Sequence, residues 1–363
     1  MNFSRRDFNR LAGMAAVSPF LPAALGQTGH PPVGWCIIAL GRISMGHFMP
    51  GVKMSQSGKI VALVSGHRDK AEKQAALYGV PASAIYNYEN MDAIRDNKEI
   101  DAVYIALPNS MHAEYTLRSA KAGKHVLCEK PMATSVADAK SMIDACRAAN
   151  KKLMIAYRCQ YDPLHMKAIE LIRSGQIGQV QAIESAFGFN CQPGEWRLDR
   201  KLAGGGPLMD VGIYCLNASR YLTGEEPHEI KAFSSVIDHD GRFETVEENV
   251  SWTMKFPSGI VTACNTTYGG SMTGYFRVHG AKGSIDMLPA FNYDGMHLTA
   301  QIGRTQKIDD LSTDRDPIEF TREADHFADC IWNNKTPKTP GEEGLRDTVL
   351  MSEIYQAAGL PSL

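Results

Sequence analysis

The sequence has no long hydrophobic run and no excess of either charge. None of the 363 residues belongs to an uninterrupted apolar stretch of about 18 residues, the length that indicates a membrane-spanning helix. The 38 Lys and Arg balance the 40 Asp and Glu to a net charge of −2, and no basic block stands out. Phosphate backbones are bound by clustered Lys and Arg, so we expect no nucleic-acid partner and no membrane contact beyond an export signal.

Closely spaced metal ligands and redox cysteine pairs are also missing. The eight cysteines include no C-x-x-C spacing, and the eleven histidines show no ligand spacing with a nearby carboxylate. Zinc sites and redox pairs use such short spacings, so we expect no metal. Because most of the cysteines lie in apolar segments, we predict buried, inert thiols.

The first residues carry an export pattern. Arg5 and Arg6 precede a mild apolar stretch from Leu11 to Leu25, and the small residues Ala24 and Gly26 come just before Gln27. Paired arginines ahead of a weakly apolar segment are typical of a twin-arginine signal. We therefore predict a signal peptide over residues 1–26 and a periplasmic protein, with a frayed cytosolic terminus as the alternative.

The remaining chain is long enough for about two domains. Up to residue 157, short Val/Ile/Leu-rich runs alternate with helical periodicity, which predicts a parallel sheet with crossover helices over residues 31–157. The predicted strands are Trp35–Leu40, Ile60–Val64, Ala102–Leu107, His125–Cys128 and Leu153–Ala156. The predicted helices are Lys70–Tyr78, Ala113–Ala122 and Val136–Ala149.

After residue 157 the rhythm changes. Consecutive alternating segments joined by turns predict a large, mostly antiparallel open sheet in a second domain, residues 158–363. The predicted strands are Glu229–Ile237, Asn249–Phe256, Ile260–Thr267, Tyr275–Val278 and Ser284–Met287. Helices are predicted over Pro163–Arg173, from about Leu208, and over Glu323–Asn333 and Glu342–Ala358. The fold class is therefore α/β, a doubly wound parallel sheet followed by an α+β domain.

A glycine turn after the first strand indicates a dinucleotide site. Gly41 stands where the middle glycine of G-x-G-x-x-G lets the backbone approach a diphosphate, although Ala39 and Ser44 replace the outer glycines. The second strand ends at Ser65 instead of the carboxylate that holds a ribose 2′-hydroxyl. With Arg68 and Lys70 close behind, this favours NADP over NAD.

Two further segments carry groups suited to chemistry. Lys130 follows a strand at the sheet edge where ligands bind in open α/β sheets. Asp210 and Tyr214 follow a Gly-Gly-Gly-Pro segment and, at i and i+4, share one face of a helix. A tyrosine of ordinary pKa near 10 needs help to act as a base, and a lysine cation about 4 Å away supplies roughly 4 kcal/mol at an effective dielectric of 20. We predict Tyr214 as general base, supported by Lys130, with Asp210 as the orienting group.

At these motifs the chain resembles the glucose–fructose oxidoreductase family (Gfo/Idh/MocA superfamily), from about residue 33 to residue 359. The resemblance implies an N-terminal Rossmann domain, a C-terminal open sheet and an active site between them. The matching stretches are Cys128–Thr134, Ala156–Arg158, Glu195–Leu198, Gly204–Asn217, Gly224–Pro227 and Pro340–Gly344.

The resemblance also implies roles for single residues. Lys130 matches the catalytic lysine, Asp210 and Tyr214 match the D-x-G-x-[H/Y] pair, and Ser65 and Lys70 match positions that contact a 2′-phosphate. The predicted NADP-binding residues are Gly41, Arg42, Ile43, Ser65, Gly66, Arg68, Lys70, Tyr88, Leu107, Pro108, Asn109, His112, Glu129, Lys130, Arg158, Trp196 and Arg197. Candidates for the sugar lining are Asn190, Arg197, Arg200 and Tyr268.

The expected function is an NADP-dependent sugar oxidoreductase. Export of an NADP enzyme favours a bound coenzyme that one sugar reduces and a second carbonyl compound reoxidises. The partners expected are small sugars and further copies of this chain in a homodimer or homotetramer. The alternatives are an ordinary NAD(P)-dependent sugar dehydrogenase with exchangeable coenzyme, an NAD-dependent glycosidase, or a non-catalytic dinucleotide-binding regulator.

Overall fold

The computed structural model describes residues 29–363, and residues 32–363 form one compact unit. The predicted signal peptide, residues 1–26, lies outside the described residues. Fourteen strands make two sheets, and the predicted α/β architecture is confirmed. In the described part of the chain no helix is long and apolar enough to cross a membrane.

The first sheet has six parallel strands in the order β3-β2-β1-β4-β5-β6. Its strands are β1 (Val33–Ile38), β2 (Gly58–Val64), β3 (Ile85–Tyr86), β4 (Ala102–Ile105), β5 (His125–Glu129) and β6 (Leu153–Ala156). Every residue of β1, β4 and β6 is buried, as expected where helices cover both faces. The order reverses between β1 and β4, which creates the crevice where this fold binds ligands.

The helices of this half agree with prediction to within two residues at either end, except for the one after β1. They are α1 (Met49–Met54), α2 (Arg68–Tyr78), α3 (His112–Lys121) and α4 (Val136–Ala148). A π-helical turn, Ser44–Phe48, leads into α1. The Ser135 hydroxyl accepts a hydrogen bond from the Asp138 amide and caps α4.

The second sheet has eight strands in the order β14-β13-β12-β11-β7-β10-β9-β8, and only β7 and β10 run parallel. Its strands are β7 (Val180–Gly188), β8 (Glu229–Ser235), β9 (Asn249–Lys255), β10 (Val261–Thr267), β11 (Met272–Gly280), β12 (Gly283–Met287), β13 (His297–Ile302) and β14 (Gln306–Leu311). Three of these, β7, β13 and β14, were not predicted from the sequence. In β9 the buried Val250, Trp252 and Met254 alternate with exposed residues, so one face of the sheet is covered and the other is open.

Five helices complete the fold. They are α5 (Pro163–Arg173), the short α6 (Arg200–Ala203), α7 (Ile213–Thr223), α8 (Ile318–Trp332) and α9 (Gly341–Ala357). The predicted bounds of α5 are confirmed, and Asp162 caps it by accepting from the amides of Leu164 and His165. Although α8 and α9 follow the second sheet in the chain, α8 packs on α1 and α9 packs on α4. Because α9 also packs on β6 and β8, it links the two sheets.

All eight cysteines are buried and unpaired, as predicted. Burial raises the pKa of Cys36 to about 12, and those of Cys146, Cys159 and Cys264 also to about 12. Thiols that hold their protons so firmly are poor nucleophiles.

Candidate active site

Lys130, Asp210 and Tyr214 meet at the carboxyl end of β5. The Lys130 ammonium donates to the Asp210 backbone carbonyl at 2.6 Å and lies 3.2 Å from its carboxylate Oδ1. The same ammonium is 4.7 Å from the centre of the Tyr214 ring. The three residues predicted to carry catalysis are therefore brought together.

The segment before α7 explains why Asp210 reaches Lys130. Asp210 lies in a second π-helical turn, Leu208–Gly212, which runs directly into α7. Three glycines precede it: Gly204 has a φ of +82°, and a Cβ on Gly205 or Gly206 would lie 2.0 Å from the Tyr355 hydroxyl or 2.4 Å from the Glu247 carbonyl. The first glycine is required for its backbone conformation and the next two because there is no room for a side chain.

Asp210 is held as a carboxylate. Its Oδ2 accepts from Arg197 Nε at 2.8 Å and from the Tyr268 hydroxyl at 2.9 Å. Burial raises the pKa of Asp210, but Lys130 and Arg197, with the Tyr268 hydrogen bond, lower it well below its ordinary range. Asp210 therefore stays ionised and fixes two cations, and of the predicted sugar-lining residues Arg197 and Tyr268 lie here.

Tyr214 has a different cation on its hydroxyl from the one expected. Arg158 Nε donates to the Tyr214 hydroxyl at 3.2 Å, whereas the Lys130 ammonium lies over the ring face and is bonded to Asp210. Burial raises the pKa of Tyr214 above its ordinary value, and Arg158 lowers it. Arg158 is predicted as an NADP-binding residue, but its contacts in the structure are with Tyr214 and with protein groups around it.

A line of ion pairs joins this centre to the turn after β1. Arg42 NH2 is 2.9 Å from Glu195 Oε1, and the other Glu195 oxygen is 3.4 Å from Arg197 NH1. Arg197 in turn holds Asp210. The segment between β7 and α6 thus reaches across to the glycine turn, and sequence reasoning missed Glu195 as the residue that makes this connection.

The glycine turn is open beside Gly41. A Cβ placed on Gly41 would have no described atom within 4 Å apart from its own chain neighbours. Ala39, at the position of the first motif glycine, keeps the conformation that glycine usually provides, with a φ of +79°. Ile43 packs against the core and the Ser44 hydroxyl is buried, so these two residues support the turn from its protein side.

The end of β2 fits a 2′-phosphate in its chemistry. The Lys70 ammonium reaches back to the Leu40 carbonyl at 3.3 Å and so lies beside the glycine turn. The Ser65 hydroxyl is bonded to the backbone of His67, and the Tyr88 ring covers Gly66. The Arg68 guanidinium donates hydrogen bonds to the Glu72 carboxylate and to the carbonyls of Ile85 and Ala82.

The remaining predicted cofactor residues lie along the ends of β4 and β5. His112 is buried, with its two ring nitrogens at the carbonyls of Leu107 and Pro131. Asn109, just after Pro108, donates to the Ala203 carbonyl at 2.8 Å. Glu129 accepts from the Tyr104 hydroxyl at 2.5 Å and from the Lys130 amide at 3.2 Å.

Three further predicted residues contact protein groups other than Lys130, Asp210 and Tyr214. Trp196 stacks against the Arg197 guanidinium at 4.8 Å. Asn190 accepts from Arg242, and Arg200 donates to the Pro361 carbonyl. Neither Asn190 nor Arg200 has a contact with Lys130, Asp210 or Tyr214 among the described residues.

Both halves of the chain match known families of proteins. Residues 33–157 match the family model described as "Oxidoreductase family, NAD-binding Rossmann fold", and residues 165–286 match the "GFO/IDH/MocA C-terminal domain". The chain is 30% identical over 334 residues to D-xylose 1-dehydrogenase [NADP(+)] of Haloarcula marismortui, covering 90% of this chain and 91% of that protein.

Solved structures give the same picture. The crystal structure of aldose-aldose oxidoreductase from Caulobacter crescentus, complexed with glycerol, is 40% identical with a TM-score of 0.87, covering 91% of this chain and 98% of that one. Levoglucosan dehydrogenase in complex with NADH and levoglucosan, 22% identical with a TM-score of 0.78, covers 91% and 98% and shares the fold.

Proposed function

Because the chain belongs to the Gfo/Idh/MocA family of oxidoreductases, we propose that it is an NADP-dependent sugar oxidoreductase acting at C1 of an aldose. The observation that carries this proposal is the meeting of Lys130, Asp210 and Tyr214 at the end of β5, beside the crevice between β1 and β4. The NADP-dependent xylose dehydrogenase and the aldose-aldose oxidoreductase support the choice of coenzyme and sugar.

The residues that would hold NADP are those of the two turns described above. Gly41 and its neighbours would receive the diphosphate at the start of the following helix, and Lys70 would pair with the 2′-phosphate. The end of β2 carries Ser65 where an NAD site places its carboxylate, and Asp69 lies further on, in the first turn of α2. When bound, the nicotinamide supplies the redox chemistry by exchanging a hydride with sugar C1.

The protein's part is to place the sugar and move its proton. Lys130, fixed by Asp210, would donate a hydrogen bond to the C1 oxygen. Tyr214 would take the C1 hydroxyl proton as the C–H bond breaks, and would return a proton when a carbonyl is reduced. Asp210 stays ionised and holds Lys130 and Arg197 in place through its two carboxylate oxygens.

We further propose that the coenzyme stays bound while one sugar reduces it and a second carbonyl compound reoxidises it. The aldose-aldose oxidoreductase at 40% identity supports the two-sugar reaction. Glu195 supports retention, because it joins Arg42 of the glycine turn to Arg197 and so closes a segment over that turn. Export by the twin-arginine signal, with the coenzyme loaded before transport, would place this reaction in the periplasm.

A cofactor-release assay on the purified protein tests both proposals. The denatured protein is expected to release NADP in a 1:1 ratio, and native protein given glucose is expected to gain absorbance at 340 nm that a second aldose or fructose then removes. Tyr214→Phe is the matched control, because it retains the coenzyme site. Protein that needs added NADP would be an ordinary dehydrogenase, and bound NADP that no aldose reduces would contradict the sugar assignment.

We also propose that copies of this chain associate through the open face of the second sheet. Phe233 in β8 is 80% exposed there, and Val261 in β10 is 43% exposed on the same face. Light scattering of the wild type against Phe233→Asp tests this: a smaller particle in the variant is expected, and an unchanged mass would contradict it.

A further inference from the structure

Arg158 is the most heavily engaged cation near the site. It follows β6 in the 3₁₀ turn Arg158–Tyr161 and is only 4% exposed. Its NH1 lies 2.8 Å from Glu319 Oε2, while NH1 and NH2 also donate to the carbonyls of Asn292 and Phe291 at 3.1 and 2.6 Å. With Nε given to Tyr214, every nitrogen of the guanidinium has an acceptor, so its orientation is fixed.

A fixed guanidinium affects the phenol in two ways. It is charged at every relevant pH, so it favours the phenolate over the phenol. Its Nε–H also occupies one acceptor position of the Tyr214 oxygen, so that the phenolic proton, or the proton arriving from a sugar, must lie on another side.

The other groups that face Tyr214 do not replace this contact. The Lys130 ammonium lies over the ring and is bonded to Asp210. The Phe187 and Phe291 rings pack at 5.6 and 5.5 Å. Glu129 raises the pKa of Tyr214, so it favours the neutral phenol, and the Cys159 thiol keeps its own proton. The Tyr293 ring also packs on Arg158, with its centre 4.4 Å from the guanidinium carbon, and burial raises the pKa of Tyr293, so it stays a neutral phenol.

Glu319 is the carboxylate that pairs with Arg158 and opposes its positive charge. It is 3% exposed on α8, its Oε2 forms the ion pair with Arg158, and its Oε1 has no hydrogen-bond partner within residues 29–363. The strength of the Arg158 charge at Tyr214 therefore depends on how much of it Glu319 neutralises.

We propose that Arg158 is a positioning residue that orients the Tyr214 hydroxyl and lowers the cost of its ionisation, and that Glu319 sets the size of that effect. This rests on the proposed function, in which Tyr214 accepts the C1 hydroxyl proton. Arg158→Gln is then expected to make ionisation of Tyr214 harder, and Glu319→Gln to make it easier. Opposite shifts from two residues in one ion pair would not follow from a merely structural role.

The experiment reads the ionisation of residue 214 without any sugar. 3,5-Difluorotyrosine placed at position 214 has a lowered pKa, and its fluorine NMR shift reports the phenol and phenolate forms. The titration midpoint is expected to rise by at least one pH unit in Arg158→Gln, to fall in Glu319→Gln, and to lie between wild type and Arg158→Gln in Arg158→Lys. Circular dichroism confirms that each variant is folded.

Arg118→Gln is the matched control, since its guanidinium carbon lies 5.1 Å from the Tyr115 ring, the same distance as Arg158 from the Tyr214 ring. It should leave the midpoint unchanged. Midpoints that stay together in all folded variants, or that move in one direction for both Arg158→Gln and Glu319→Gln, would overturn the proposal.

A second readout links ionisation to the reaction. The pH profile of the single-turnover reduction by glucose should shift upward with the midpoint, and one pH unit corresponds to a tenfold slower rate on its rising limb. If glucose and other aldoses reduce nothing in the wild type, the proposed function fails while the fluorine titration still decides the role of Arg158.

Discussion

The proposed chemical role of Tyr214 depends on one atom, its hydroxyl oxygen. Tyr214 contributes a hydroxyl bonded to Arg158 and a ring packed between Phe187, Phe291 and the Lys130 ammonium. Only the hydroxyl can exchange a proton, so the chemical and the packing roles of this residue can be separated by removing one oxygen.

Tyr214→Phe should therefore abolish turnover and leave the fold intact. General-base contributions are typically worth about 100- to 10,000-fold, so kcat should fall by at least 100-fold. The unfolding temperature should change little, because the ring contacts persist. Sugar oxidation and thermal melts, measured on the same preparations, check this, and a variant that keeps a tenth of the wild-type kcat would contradict Tyr214 as the base.

A local sequence motif can identify a site residue, but it does not identify partners that lie far away in the sequence. Lys130, Asp210 and Tyr214 lie in recognisable local patterns, and their meeting was predicted. The bond from Arg158 to Tyr214 and the ion pair from Arg158 to Glu319 join positions 56 and 161 residues apart. Nothing local in the chain marks such pairings, so the cation on the Tyr214 hydroxyl could be identified only once β6, α7 and α8 were packed together.

At the scale of elements, the segment between β7 and α6 acts through Glu195. Its carboxylate connects Arg42, whose side chain is 87% exposed, with Arg197, which is 30% exposed. Exposed pairs are weak, typically up to about 1 kcal/mol, so this contact slows opening of the segment without preventing it.

Glu195→Gln should accordingly speed the release of NADP by a few-fold and leave the rate of the bound enzyme nearly unchanged. Its neutral amide keeps the shape of the side chain and loses both ion pairs. Displacement of bound coenzyme by excess competitor measures the release rate. Glu342→Gln removes an exposed pair with Arg147, outside the predicted coenzyme site, and serves as the control, and equal release rates from both variants would refute the role of Glu195.

The cap of α5 gives a second prediction for an element. Asp162→Ala removes the acceptor for the amides of Leu164 and His165 and should lower the free energy of unfolding by about 0.5–2 kcal/mol. Asp162→Asn retains a capping oxygen and should lose less. Urea denaturation compares the three proteins, and an Asn variant as unstable as the Ala variant would argue against the capping role.

Helices and strands could be predicted from the sequence where their buried residues recur with a clear periodicity. The strands of the parallel sheet and α5 have strong apolar patterns. In contrast, β7 has buried and half-buried residues on both faces and pairs with β10, far along the chain. In β14 the pattern is largely exposed, because it is the edge strand. The π-helical turns at Ser44–Phe48 and Leu208–Gly212 have no period of their own in the sequence.

For the whole molecule, α9 is joined to α7 by a buried charge network. Arg220 binds Asp347 at 2.6 Å and Glu343 at 2.9 Å, and it also pairs with Glu226. Burial, and to a lesser extent the nearby Glu343 carboxylate, raise the pKa of Asp347 from 3.8 to about 6, although Arg220 lowers it. The folded protein therefore binds a proton at Asp347 in a pH range where the unfolded chain has lost it.

This gives a pH dependence with a definite sign. The raised pKa means that Asp347 favours the folded state most below pH 4, and this contribution is lost as the pH rises through about 6. The Asp347→Asn variant cannot ionise there, so its stability relative to wild type should increase between pH 4 and pH 7. Urea denaturation at several pH values measures the difference, and a constant or decreasing difference would contradict this assignment.

Eight buried thiols also constrain the order of events in the life of the chain. An unfolded copy exposes all eight to oxidation and to pairing with the wrong partner, whereas the folded copy hides every one of them. If this protein reaches an oxidising compartment, as we propose, its interior has to be complete while the surroundings are still reducing. A chain exported unfolded would reach that compartment with its thiols open to oxidation and mispairing. Buried cysteines are therefore compatible with export of the folded protein and not with export of the unfolded chain.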